Sequence, residues 1–151
     1  MNARLTIGLM VACLVLAPAS SAAIKLVNPS VVASRVAGKP ITVSVNSFGP
    51  GTWTGAAVVG GDHVFLGEDA YRDAKRGGGV GLFVLLHETG HATGIADEHA
   101  ADCFSLAHLK SVLLRFWQLR PAGIAQRYDD ALAWPGKYDG NRCFATKAAT
   151  K

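Results

Sequence analysis

The densest chemistry in the chain is His87-Glu88-Thr89-Gly90-His91. Two imidazoles four residues apart share one face of a helix, so both rings can be aimed at a single metal ion. Glu88 follows the first histidine directly and projects roughly a third of a turn away. Its carboxylate then lies beside such an ion rather than on it, placed to take a proton from a metal-polarised water. The arrangement requires residues 87–91 to be helical.

The flanking sequence predicts that helix. Val80–His91 is apolar nearly all round, the pattern of a helix running through a core. Gly77, Gly78 and Gly79 make a flexible entry, and Gly94 follows at the place where a left-handed residue ends a helix. Gly90 costs the helix about 1 kcal/mol relative to alanine, which points to a close approach by backbone or substrate there. The plain alternative is a buried helix that carries two histidines and no ion.

A metal that works on water needs three protein ligands and one open position. The third must come from Ile95-Ala96-Asp97-Glu98-His99-Ala100-Ala101-Asp102-Cys103. After Gly94 the chain has to reverse and start a second helix. Asp97 suits its N-cap, accepting first-turn amides, which leaves Glu98 as the expected ligand. Asp97 is the alternative and His99 a third candidate. Asp102, one turn beyond Glu98 and flanked by Ala101 and Cys103, is expected to hydrogen-bond a ligand histidine and fix its tautomer.

His87 to His91 followed by Glu98-x-x-Ala101-Asp102 resembles the gluzincin arrangement within the zincins, the HExxH zinc metallopeptidases. The wider phrase is similar to small secreted bacterial zinc peptidase-like proteins, and the resemblance spans roughly residues 82–106. It implies Zn²⁺ held by His87, His91 and Glu98, with Asp102 supporting an imidazole. In the rival metzincins Asp97 would be the ligand. Those proteins carry a Met-turn beneath the metal, whereas Met1 and Met10 are the only methionines here and both fall in the leader.

The leader is read at residues 1–22. Arg4 supplies a positive start, the apolar run 5–17 is short for a bilayer span, and Pro18-Ala19-Ser20-Ser21-Ala22-Ala23 offers small residues for cleavage. The expected location is secreted or periplasmic. Residues 23–151 then form one domain with a modest core. The 151-residue chain carries a net charge of +4, and no aromatic-basic stripe accompanies that excess, so nucleic acid is not an expected partner. No second apolar stretch is long enough to span a membrane. Cys103 and Cys143 remain after cleavage, and an even pair in an exported protein reads as a disulfide.

Around the motif, residues 24–37 read as a short strand or loose arm broken by Pro29. Residues 41–48 alternate with period two as a half-buried strand. Residues 53–59 and 63–66 are strand candidates joined across Gly60-Gly61-Asp62. Residues 68–76 read as a short helix, 98–120 as one long helix stopped by Pro121, and 122–134 as a further short one. Strands first and helices after give an α+β class: a minimal zincin-like domain with a small, antiparallel-rich sheet packed on the metal helix and a second long helix. Residues 58–66 are the expected strand beside the cleft, available to an extended peptide by edge addition.

The activity implied is hydrolysis of peptide bonds in a peptide or protein substrate. Glu88 is the general base and then the proton donor to the leaving amine, and Tyr128 or His63 is a candidate to help the oxyanion. The alternatives are a non-catalytic zinc-binding or interaction protein on the same scaffold, and a hydrolase of another amide such as one in a cell wall.

Overall fold

The computed structural model describes residues 25–46, 53–134 and Cys143; residues 1–22, expected to be a leader, lie outside them. The class is α+β: among the described residues there are a three-stranded mixed sheet and five α-helices. In chain order these are α1 (Pro29–Ala37), β1 (Thr42–Val45), β2 (Gly55–Ala57), β3 (His63–Leu66), α2 (Glu68–Arg76), α3 (Gly79–Ala92), α4 (Glu98–Val112) and α5 (Pro121–Ala133).

The axis of the molecule is α3. Every residue of it except Val80 is buried, and it packs against α1, α2, α4, α5, β2 and β3. A helix surrounded on all sides has no solvent-facing side, which explains the apolar run Val80–Leu86 that precedes its polar last turns. Small residues let its neighbours close in: a Cβ on Gly81 would meet the α2 backbone at Ala74 N and Ala70 O, 2.4 and 2.5 Å away. Gly78, at the N-cap, has no side chain to offer the first-turn amides. Asp73 supplies one from α2, its Oδ2 accepting from Gly81 N at 2.8 Å, and a carboxylate there also opposes the positive end of the helix dipole.

The strand order is β1-β3-β2, with β1 parallel and β2 antiparallel to β3. Val43, Val64 and Leu66 turn into the core. The outer edge of β1 is covered by α1: Ser30 Oγ accepts from Val43 N at 2.9 Å, and Ser34 Oγ accepts from Ile41 N at 2.8 Å. Among the described residues β2 pairs with β3 alone.

Three sequence expectations are corrected. Residues 29–37 form a helix, not a strand or arm, because Asn28 Oδ1 accepts from Ser30 N at 2.9 Å and Pro29 takes the first helical position. The long helix expected over 98–120 is α4 followed by a π-helical turn, Leu113–Trp117, and it ends where Gln118 turns left-handed at φ 55°. Pro121 begins α5 instead of merely stopping what precedes it. Finally, β3, within the 58–66 stretch expected beside the cleft, is the central strand with neighbours on both sides; the strand facing the cleft is β2.

Candidate metal centre

His87 and His91 leave the last turns of α3, and Glu98 is the first residue of α4. The link between the helices is made tight by Gly94, at φ 107°, a backbone region that glycine enters without penalty. The chain then folds back so that Ile95 O lies 2.7 Å from His91 Nδ1. Asp97 caps α4, its Oδ1 accepting from Ala100 N at 2.7 Å. Ser105 on α4 donates to Phe83 O on α3 at 2.8 Å, and a Cβ on Gly90 would stand 3.2 Å from the Phe104 ring. The close approach inferred from Gly90 is therefore the docking of α4.

This docking brings three ligand-type atoms together. His87 Nε2 lies 3.0 Å from His91 Nε2 and 3.0 Å from Glu98 Oε2, and His91 Nε2 lies 3.5 Å from the same oxygen. Ligands bound to a tetrahedral ion at ~2.0–2.1 Å stand ~3.3 Å apart, so the triangle has the dimensions of one face of such a shell. Both imidazoles are buried and Glu98 is exposed, leaving a path from solvent along the carboxylate.

Proton placement gives the reason for an ion. A carbonyl oxygen only accepts, so His91 Nδ1 carries the proton that it donates to Ile95 O. His87 Nδ1 likewise donates to Asp102 Oδ1 at 2.8 Å, and Asp102 is fully buried. With both rings neutral, the two Nε2 atoms would turn lone pairs toward each other and toward a carboxylate oxygen. Such a set is repulsive until a cation, or an added proton, enters it. The donor chemistry therefore fits a divalent ion that takes nitrogen and oxygen ligands.

Glu88 lies alongside, buried, and lines the same cleft as the three ligand-type residues. Burial raises its carboxyl above the ordinary value; the neighbouring His87 and His91 pull it back down and Glu98 adds to the rise. β2 presses close to it: a Cβ on Gly55 would come within 2.4 Å of Glu88 Cγ, so a side chain there would displace Glu88. The cleft encloses about 490 Å³. One wall is β2 with Trp53 and Val59, and the other is Phe83 with Trp134, whose rings meet edge to face at 5.8 Å.

The structure brings together His87, Glu88, His91, Glu98 and Asp102 as the spacing suggested, and leaves Asp97 as a cap. His99 turns elsewhere, its Nε2 3.6 Å from Cys103 Sγ. Neither oxyanion candidate lines the cleft. His63 hydrogen-bonds Ser44 Oγ at 2.9 Å and stacks on Phe65. Tyr128 is buried beneath Lys110, whose Nζ sits 4.1 Å over the ring, and that burial raises its phenol pKa. The sequence reading missed Ile95, Gly55 and the Phe83–Trp134 wall. Ile95 could have been found from its place next to Gly94; Gly55 and the aromatic wall depend on strand pairing and helix packing that no local pattern reveals. Cys103 and Cys143 are joined by a disulfide. No helix among the described residues is long and apolar enough to cross a membrane. Comparison of the chain with protein-family models, with curated proteins and with solved structures finds no match.

Proposed function

We propose that the protein is an exported zinc-dependent peptidase of the HExxH kind. The observation that carries this reading is the convergence of two imidazole Nε2 atoms and the Glu98 carboxylate at 3.0–3.5 Å, with a second carboxylate, Glu88, on the same cleft. His87, His91 and Glu98 would hold the ion. A zinc ion held there supplies Lewis acidity, polarising a carbonyl and lowering the pKa of a water towards ~7.

The chain's own groups do the rest. Asp102 and Ile95 keep both imidazoles in the tautomer that leaves Nε2 unprotonated. Glu88 accepts the proton of the attacking water and delivers it to the departing amine. The substrate fits as an extended peptide beside β2, the sheet edge that borders the cleft, using main-chain hydrogen bonds. Trp53, Phe83 and Trp134 favour apolar side chains beside the scissile bond.

The test pairs zinc analysis of the purified protein with turnover of an unstructured protein substrate. The expected result is one zinc per chain with cleavage. Glu88→Gln should retain the metal and lower kcat by about 10²–10⁴-fold. Unchanged turnover in that variant removes the mechanism, and zinc without any cleavage assigns the protein to the non-catalytic alternative.

A further inference from the structure

We infer that His99, Cys103 and Cys143 form a second metal site, closed by the disulfide and opened by its reduction. The ligand-type atoms of the three residues lie within 4.8 Å of one another, and each residue is half-buried, so solvent and ions reach them. His99 and Cys103 stand four apart on α4 and share one of its faces. His99 Nε2 is 3.6 Å from Cys103 Sγ. A tetrahedral zinc with bonds of ~2.3 Å to sulfur and ~2.0–2.1 Å to nitrogen sets that pair ~3.6 Å apart, so one edge of the shell is already in place.

The site is separate from the first. Successive helical residues point ~100° apart, and Glu98 uses its turn to face His87 while His99 uses the next to face Cys103. Two sulfurs and one imidazole also make a softer set than two imidazoles and a carboxylate, so it selects thiophilic ions.

In the oxidised protein both sulfurs are spent in the Cys103–Cys143 bond and ligate poorly. A dithiol or phosphine reductant delivers two electrons, the S–S bond breaks, and two thiols form. With a phosphine the balance is R₃P + H₂O + RS–SR → R₃P=O + 2 RSH. Binding of M²⁺ then releases the two thiol protons and yields a bis-thiolate, mono-imidazole complex with a fourth position open. The thiolates need only part to ~3.8 Å, the edge of a zinc shell built on sulfur. Cys143 thus stays tied to α4 in either redox state, by a covalent bond in an oxidising compartment and by an ion in a reducing one.

Cobalt(II) titration of the full chain carrying Cys13→Ser, before and after phosphine reduction, tests this. The expected result is one additional equivalent bound on reduction, together with an intense near-ultraviolet thiolate-to-cobalt band absent from the oxidised protein. His99→Ala should weaken that increment at least tenfold and Cys143→Ser should abolish it. The increment is the readout, so it stands whether or not the His87 group is loaded. Should a variant fail to fold, alkylation of the otherwise unaltered reduced chain decides: zinc should slow modification of both Cys103 and Cys143 at least tenfold. No increment and no band on reduction, a band unaffected by His99→Ala, or alkylation indifferent to zinc overturns the inference.

Discussion

His87 and His91 stand one helical turn apart on α3 and face the same point, but they are steadied by different means. His87 donates to Asp102, a fully buried carboxylate on another helix. His91 donates to the carbonyl of Ile95, four residues along its own chain. The first support exists only when α4 is docked, and it adds a negative charge behind the ring. The second is local, neutral, and depends on the turn at Gly94. One imidazole therefore reports on tertiary packing and the other on a turn.

The largest effect expected along this contrast comes from the ligands themselves. Glu98→Ala should abolish stoichiometric metal, whereas Asp97→Ala should leave it bound; metal content after dialysis checks both. The reverse pattern would move the third ligand to Asp97. Next comes Asp102→Ala, which should weaken metal affinity about 10–100-fold. It should also destabilise the protein by about 1–3 kcal/mol, because the buried His87 N–H loses its acceptor; competition with a chromophoric chelator and denaturant titration measure the two. Gly94→Ala forces a side chain into the left-handed region at a cost of about 1–2 kcal/mol, and through His91 should weaken metal binding less than Asp102→Ala does. Equal losses in the two variants would erase the distinction between long-range and local support. The smallest effect belongs to Asp97→Ala, about 1 kcal/mol for a lost helix cap, read by thermal unfolding with metal binding unchanged.

Legibility in the sequence followed the range of the interactions. Residues 68–76 were read with the bounds that α2 has, and the metal helix to within a residue at each end, because composition, glycine placement and length are local signals. The convergence of His87, His91, Glu98 and Asp102 was legible for the same reason, since two helices and one short link place all four. The helix at 29–37 is masked in the sequence because Pro29 reads as a breaker, although Asn28-Pro29 also spells a cap followed by a first-turn proline. The break in the long helix is hidden: Leu113–Trp117 is helix-forming in composition, and no local pattern marks its π-helical winding. The strand bordering the cleft was misassigned because period-two patterning shows that a strand exists but not which partners it takes. His63 and Tyr128 suit an oxyanion by chemistry alone, and the fold carries both away from the cleft.

The two helices that hold the ligand-type residues are joined by only Thr93–Asp97. An ion gripping His87 and Glu98 would thus encircle a loop so short that little unfolded-chain freedom is removed, since closure entropy grows only with the logarithm of the span. Its stabilisation of the protein would come instead from relieving the mutual repulsion of clustered lone pairs. A melting temperature that climbs with ion concentration, while cooperativity and the denaturant slope stay fixed, would be the calorimetric mark of that origin.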